Sequence, residues 1–237
     1  MKFKILLSCL GLWALSTPFA QAEHHLIIFT ETSPPYQFQS GDMVDGIATE
    51  RVRKIVERAG MQAEIKLYPW ARAMISVERS TRALIYSMAK TPERENKFHW
   101  IAPVAHFNLS VLTLASRDDI NLDEKLNLSG LSAAAQRGDI AETWLKARGF
   151  TEGNNLLLCA DILCSWRHLK LGTVDFIIED PNLISSTADM VGLTSEAIKV
   201  EQAIPQLTIV AYLAANGDME PQLVERLQSA AKELGYQ

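Results

Sequence analysis

The first half of the chain alternates short apolar runs with amphipathic segments. Three runs have the length and apolar content of buried strands: "LIIFT" (26–30), "EIKLY" (64–68) and "RALIYSM" (82–88). Two segments between them carry apolar residues at helical spacing: "GIATERVRKIVERAG" (46–60) and "PWARAMISVERS" (69–80). Gly60 suits a helix stop and Pro69 a helix start. Strands that alternate with helices in this order predict a parallel sheet.

The second half repeats this pattern. Its apolar runs are "LSAAAQ" (131–136), "NNLLL" (154–158) and "VDFIIE" (174–179). A helix is expected after each of the first two, one beginning at the capping-box pair Asp139 and Glu142, the other across 162–169. "LTIVAYLAA" (207–215) predicts a last strand, and a last helix follows from about Asp218 to Leu234. Two successive α/β units, each of roughly 85 to 100 residues, predict an α/β protein with two lobes.

Residues 1–22 have the composition of an export signal. Lys2 and Lys4 precede an apolar stretch from Ile5 to Leu15, and Ala20-Gln21-Ala22 forms a cleavage site. The apolar stretch is shorter than the about 20 residues that span a bilayer, and no later segment approaches that length. We therefore expect cleavage after Ala22 and a soluble protein in the periplasm.

The charge balance excludes one class of partner. The formal charge is −5, and loss of the two signal-peptide lysines changes it to −7. A surface with this excess of acids is unsuited to nucleic acid. A hydrophobic content of 48% is ample for a core, so one large domain or two small lobes both fit the length.

Cys159 and Cys164 remain once the signal, with Cys9, is removed. In an oxidising compartment they predict a disulfide across a short loop, the alternative being two buried thiols. A zinc site is disfavoured because no second cysteine pair completes four ligands. We expect no metal and no cofactor.

Several segments resemble the family 3 bacterial extracellular solute-binding proteins, the periplasmic components of polar amino acid transporters. They occur in family order over almost all of the mature chain: "TETSPPYQF", "YPWARAM", "RALIYSMAKTPERENKFHWIAPVA" and "GTVDFIIEDPNLI". The resemblance implies a type II periplasmic-binding-protein-like fold, in which two crossover segments join two lobes around a cleft. The first lobe would comprise residues 23–107 and 206–237, and the second lobe residues 108–205.

The resemblance also implies a function. Such a protein closes on a small polar solute, an amino acid or a related compound, and passes it to an inner-membrane ABC permease or reports it to a sensor. We expect a monomer. Independently of the family, ligands of open α/β sheets bind beyond the carboxyl ends of the strands, where helix N-termini offer free N–H groups. Candidate ligand-binding residues follow from that position: Glu31, Tyr36, Trp70, Arg72, Ser87, Arg94, Arg137 and Asp180.

Arg94 matches the family's arginine that grips the α-carboxylate of an amino acid in a bidentate fork. The alternative for Arg94 is a surface ion pair with Glu93 or Glu95. Ser87 falls where the family supplies a hydroxyl to the same carboxylate, whereas Ala89 replaces a usual serine or threonine. One hydrogen bond to a carboxylate is therefore missing.

Asp180 aligns with the family's acceptor for the α-ammonium group, and the alternative is a cap before Pro181. Glu31 would meet a cation or brace the "SPP" turn. Tyr36 and Trp70 would form apolar or cation–π walls, or pack in the core.

Arg72 would face the cleft or pair with Glu78. In the second lobe Gly138-Asp139-Ile140 replaces the family's glycine and small hydroxyl residues. An acid there repels an anion unless Asp139 only caps its helix, and Arg137 would restore the attraction. An ordinary α-amino acid ligand therefore does not follow from the resemblance.

Two other functions stay open. A few relatives with this architecture are lyases acting on cyclohexadienyl acids, and such an enzyme would need a cleft carboxyl group of raised pKa, for which Glu31, Glu179 or Asp180 are candidates. No G-x-S-x-G, no H-E-x-x-H and no Cys–His pair at a strand end supports catalysis, and His99 and His106 are interpreted as turn and crossover residues. A ligand-free adaptor would show a cleft lined by mutually paired charges, for example Arg94 with Asp180. We favour binding over catalysis.

Overall fold

The computed structural model describes residues 25–122 and 125–237. The predicted signal peptide and its cleavage site lie outside the described residues. Within the described part of the chain, no helix combines the length and the apolarity needed to cross a membrane.

The first lobe contains a parallel three-stranded arrangement, as the periodicity predicts. Its strands are β1 (His25–Thr30), β4 (Gln62–Leu67) and β5 (Ala83–Ala89), in the order β4-β1-β5, and a hairpin of β2 (Phe38–Ser40) and β3 (Met43–Asp45) lies apart from them. Its helices are α1 (Ile47–Arg58), α2 (Trp70–Glu78), the short α3 (Pro92–Glu95) and α7 (Pro221–Glu233). Leu26 and Ile28 face a core shared with α1 and α7, while Phe29 faces α2. This alternation places helices on both faces of the sheet.

The second lobe repeats the scheme. Its strands are β7 (Ala133–Gln136), β8 (Leu156–Cys159) and β9 (Phe176–Glu179), parallel in the order β9-β7-β8. Its helices are α4 (Ile140–Lys146), α5 (Ile162–Lys170) and the short α6 (Ile184–Thr187), with 3-10 turns at Pro181–Leu183, Asp189–Val191 and Ser195–Ala197. Ala133 and Ala135 pack toward α4, whereas Ala134 packs toward α5. Each face of this sheet is therefore covered by a helix.

Two long antiparallel strands, β6 (Phe98–Leu114) and β10 (Ile198–Asn216), run through both lobes. β10 pairs with β5 of the first lobe and β6 pairs with β9 of the second, so one eight-stranded sheet is continuous across the molecule. The register between the long strands breaks between Ala203 and Thr208. The predicted lobe boundaries, after residues 107 and 205, fall inside β6 and β10.

Three expectations about elements need correction. The last predicted strand, 207–215, is only part of β10, and His99 lies in β6 rather than in a turn, as does His106, which was interpreted as a crossover residue. Asp139 is the N-cap residue of α4, but its side chain makes no cap hydrogen bond. Glu142 accepts instead from the backbone N–H of Gly138, one residue before the cap, so the reciprocal capping box does not form.

Cys159 and Cys164 are joined by a disulfide, with 5.6 Å between their Cα atoms. The bridge connects the end of β8 to the first turn of α5. Asp161 caps α5 through a hydrogen bond in which its Oδ1 accepts from the N–H of Cys164 at 2.7 Å. The disulfide and the cap together fix the turn between β8 and α5.

Candidate functional site

A cavity of about 60 Å³ lies between the two lobes. The first lobe, the second lobe and both long strands contribute to its wall. The polar side chains of the wall are Glu31, Ser33, Gln37, Ser87, Gln136, Asp139 and Glu179, and the large apolar ones include Trp70, Phe107, Leu109 and Ile162. By volume it has room for a few water-sized groups.

The strand ends position the polar wall. Glu31 directly follows β1, Gln136 ends β7 and Glu179 ends β9. Because the carboxyl ends of the parallel strands in each lobe point toward the other lobe, these three residues from distant sequence positions face one space. The position rule used on the sequence thus leads to the observed cavity.

Ser87 and Gln37 form a polar pair at the first-lobe wall. The Ser87 hydroxyl donates to Gln37 Oε1 at 2.8 Å. Ser87 has φ +60°, in the left-handed region that residues with a side chain seldom adopt. Strained backbone of this kind is often found at functional sites. Gln37 is buried, so its amide is held against the cavity.

Hydrogen bonds between the lobes keep the cavity closed. The carbonyl oxygen of Gly138 accepts from Arg94 Nη2 at 2.6 Å and from Trp70 Nε1 at 3.2 Å. Gly138 has φ +77°, which a residue with a side chain would adopt only with strain, so glycine is what lets this carbonyl meet both donors. Gln136 Nε2 donates to Glu31 across the cleft. Each of these bonds joins the first lobe to the second.

Arg94 is buried, with 9% of its surface exposed, and its guanidinium lies 5.6 Å from the centre of the Trp70 ring. Besides Gly138, it donates from Nη1 to the carbonyl of Ala89 at 3.0 Å. Glu95, one of the two partners considered for a surface ion pair with Arg94, pairs instead with Lys90. Arg94 lies outside the wall of the cavity. Its grip on a ligand carboxylate stays a prediction.

The charged groups of the wall are carboxyls, and burial shifts their titration. Burial raises the pKa of Glu31 well above its usual range, and the nearby Asp139 adds to the effect. Burial, together with Asp139 and Asp180, raises the pKa of Glu179 to about 8. Burial also raises the pKa of Asp139, although Arg94 opposes the shift. A cavity of this kind favours the neutral form of the carboxyls, and a bound cation would stabilise the ionised form instead.

Several predicted site residues lie away from the cavity. Asp180 is 1% exposed and accepts backbone N–H bonds from Asn108 at 2.8 Å and Asn182 at 2.9 Å, the cap role that was its alternative. The Arg94–Asp180 pair that would mark an adaptor is therefore not the arrangement found. Arg137 forms an exposed ion pair with Glu152.

Two further candidates are also placed elsewhere. Arg72 is exposed and its guanidinium stacks 4.0 Å from the centre of the Tyr68 ring, rather than pairing with Glu78. The Tyr36 hydroxyl donates to the carbonyl of His106 at 3.1 Å, and its ring packs edge-on against Phe107. Of the eight ligand-binding candidates, the cavity wall contains Glu31, Trp70 and Ser87.

Gln37, Gln136 and Phe107 were missed as wall residues, and Glu179 was considered only as a catalytic acid. For Gln136 and Glu179 the signal was present, since each is the last residue of a predicted strand. Gln37 lies in the loop after "SPP" and Phe107 in a strand that was not predicted, so neither had a positional signal.

One group of side chains has the spacing of metal ligands within residues 25–122 and 125–237. Ligand atoms of Cys159, Cys164 and His168 lie within 4.8 Å of one another. The disulfide occupies both sulfur atoms, so these residues could hold a metal ion only after reduction. His168 Nδ1 already makes a hydrogen bond with the Thr173 hydroxyl.

Comparisons with known proteins give a family and a fold. The model of the bacterial extracellular solute-binding proteins, family 3, matches residues 26–235. No curated protein sequence matches the chain. An ancestral arginine-binding protein solved with arginine has a TM-score of 0.75 and 18% identity over 90% of this chain and 92% of its own.

Two further solved structures are similar in fold. A histidine kinase sensor domain with similarity to periplasmic binding proteins has a TM-score of 0.74 and 18% identity, over 89% of this chain and 91% of its own. ArtJ from Geobacillus stearothermophilus, which binds arginine, lysine and histidine, has a TM-score of 0.73 and 14% identity, over 89% of both chains. At these identities the likeness concerns the fold alone, which is that of the type II periplasmic binding proteins.

Proposed function

Because this chain belongs to the bacterial extracellular solute-binding proteins of family 3, we propose that its two lobes close on a small polar solute in the cavity between them. The observation that carries the proposal is the cavity itself, whose polar wall comes from both lobes. A ligand held there contacts both lobes only when they are closed, and this difference in contacts is what couples binding to closure.

The interlobe hydrogen bonds support the same proposal. The carbonyl of Gly138 accepts hydrogen bonds from Arg94 and Trp70 of the other lobe, and Gln136 donates a hydrogen bond to Glu31. β6 and β10 are the connections about which such lobes would move, with the irregular register after Ala203 as the flexible point. The lobes would consist of 23–107 with 206–237, and of 108–205.

The role in the cell follows from the family. ArtJ and the arginine-binding protein are named for amino acids, and the sensor domain belongs to a histidine kinase. This chain would accordingly deliver its solute to an inner-membrane ABC permease or report it to a sensor. Cleavage after Ala22 and export to the periplasm, as a monomer, complete the proposal.

A thermal-shift screen tests the proposed function. The protein is unfolded, freed of ligand, refolded and melted with amino acids, small peptides, polyamines, organic acids and sugars. A solute at one hundred times its dissociation constant stabilises the native state by about 2.7 kcal/mol, which raises Tm by several degrees for a chain of this size. Gln136→Ala should remove the shift, because Gln136 lines the cavity and joins the lobes.

Gln228→Ala is the matched control, since Gln228 is exposed on α7 and donates only to the carbonyl of Trp100. A shift retained in Gln228→Ala and lost in Gln136→Ala supports binding in the cavity. If no compound class in the screen raises Tm, the solute-binding proposal is wrong for this chain.

A lyase is the second candidate, favoured by one observation. Glu31 and Glu179 are cleft carboxyls whose pKa burial raises, the property that a general acid or base needs near neutral pH. The same screen separates the two functions when prephenate and arogenate are included and recovered after incubation. A binding protein returns them unchanged, whereas loss of substrate that depends on Glu179 would make the chain an enzyme.

A further inference from the structure

The charged side chains that line the cavity carry only carboxyl groups. Glu31 comes from the first lobe, and Asp139 and Glu179 come from the second. Of the described residues, none in the wall of this cavity is an arginine, a lysine or a histidine. A buried carboxylate is costly without a counter-charge. Arg94 partly offsets this cost for Asp139 from outside the wall, and a positively charged solute would offset it for all three groups.

The cations near the cleft are engaged elsewhere. Arg94 donates to the backbone carbonyls of Ala89 and Gly138, and Arg137 pairs with Glu152 at the surface. A solute carboxylate in the cavity would therefore meet carboxyl groups and no facing cation. Its ionised form would be repelled by the same side chains that attract an ammonium group.

The spacing of the carboxyls favours an organic cation over a metal ion. Among the residues that the structure describes, the only group whose ligand atoms converge within 4.8 Å is the Cys159, Cys164 and His168 set. The oxygen atoms of Glu31, Asp139 and Glu179 thus do not all converge on the position of one ion. A solute several atoms long can meet more than one of them, and the Trp70 and Phe107 rings offer faces for a cation. Because about 60 Å³ holds only a few water-sized groups, the lobes would close on such a solute less tightly than they do in this structure.

Resting on the proposed solute-binding function, we propose that the cavity selects a small organic cation with an ammonium, amidinium or guanidinium group and no carboxylate. The wall supplies two kinds of contact for it. Carboxyl groups from both lobes accept hydrogen bonds from its N–H groups, and Gln37, Ser87 and Gln136 offer further oxygen acceptors. Closure of the lobes brings these groups onto one solute.

The preference should strengthen with pH. The ionised carboxyls are the forms that bind a cation, and the pKa values of Glu31, Asp139 and Glu179 are raised. Four other groups also act on their charges: Asp161, Asp180 and Glu142, which oppose ionisation, and Arg94, which favours it. Affinity for a cation that keeps its charge should therefore increase from pH 6 toward pH 8.5, with protons released on binding.

Matched pairs of compounds test the carboxylate requirement. Agmatine is arginine without its α-carboxylate, and cadaverine is lysine without it. We expect isothermal titration of the ligand-free protein to give an affinity at least about tenfold higher for the decarboxylated member of at least one pair. In that pair we also expect the affinity for the decarboxylated member to be higher at pH 8.5 than at pH 6.

Two variants locate the effect. Glu179→Gln keeps a carbonyl oxygen that can accept from the N–H of Asp180. The variant should lower the affinity for the decarboxylated compound by about tenfold. Asp139→Asn provides a second measurement should Glu179→Gln fold poorly. Glu225→Gln, on the exposed side of α7, is the control and should leave the affinity unchanged.

The outcomes separate this inference from the proposed function. Tighter binding of arginine or lysine than of their decarboxylated partners, or binding of neutral or anionic solutes alone, overturns the cation inference and leaves solute binding intact. Equal affinity within both pairs has the same meaning. Absence of binding by every compound, including the wider screen, overturns both.

Discussion

At the scale of a single residue, Glu179 shows how burial determines chemistry. Its folded pKa is raised from 4.5 to about 8, so the fold favours the neutral carboxyl. The stabilisation from that neutral form is complete below pH 4.5 and is lost as the pH rises through about 8. We expect Glu179→Gln to be increasingly more stable than the wild type over this window, by roughly a few kcal/mol at the upper end.

The check is urea unfolding of both proteins at pH 5, 7 and 9 without added solute. The difference in free energy of unfolding between variant and wild type should grow with pH. Removal of the Glu179 charge also reduces the upward shift in the pKa of Glu31, which acts in the same direction. Glu225→Gln, at the surface, should show no growing difference. A difference for Glu179→Gln that is the same at all three pH values contradicts the assignment.

The same scale shows where sequence reasoning succeeds and where it stops. Glu31 and Ser87 were predicted to face the ligand because they lie at strand ends, and both are in the cavity wall. Arg137 and Asp180 were chosen by the same rule, yet each is satisfied by a nearby partner, Glu152 or backbone N–H groups. Which partner a polar side chain takes depends on the packed fold, and residue type alone does not reveal it.

At the scale of elements, periodicity predicts the βαβ units well, because strands such as β5, β7 and β9 are buried on both faces and the helices have one apolar side. It underestimates β10 and misses β6. These strands contain Pro103 and Pro205 and interrupted apolar patterns, and they are held by pairing with each other over about one hundred residues of chain separation. Such long-range pairing leaves little local signal.

The turn between β8 and α5 carries a prediction of its own. The disulfide closes a loop with a sequence separation of 5, and Ile162 of the next helix lines the cavity. Replacing both Cys159 and Cys164 by serine should lower the free energy of unfolding by about 2 kcal/mol, measured by urea denaturation. The solute affinity should fall as well, because the turn that presents Ile162 gains freedom.

Reduction of the wild type with a phosphine should reproduce both effects without any substitution. The double serine variant treated with the same reductant is the control and should not change. Unaltered stability on reduction would mean that the bridge does not constrain this turn.

At the scale of the whole molecule, the fold places one carbonyl, that of Gly138, where donors from the opposite lobe converge. The Arg94 bond is a charge-assisted one, worth roughly 1.5 to 3 kcal/mol. In Arg94→Ala the ratio of open to closed protein should rise by about tenfold or more. Small-angle X-ray scattering should then give a larger radius of gyration in the absence of solute. A saturating solute should restore the compact form.

Arg94→Ala also decides between two roles for this arginine. If Arg94 only joins the lobes, its loss lowers the affinities for agmatine and for arginine by the same factor, because the fraction of closed protein enters both affinities equally. If Arg94 grips a carboxylate, arginine loses affinity and agmatine does not. Arg72→Ala, an exposed arginine stacked on Tyr68, should change neither affinity nor scattering. The ratio of the two affinities, measured in wild type and Arg94→Ala, therefore separates a lobe-bridging arginine from an anion clamp.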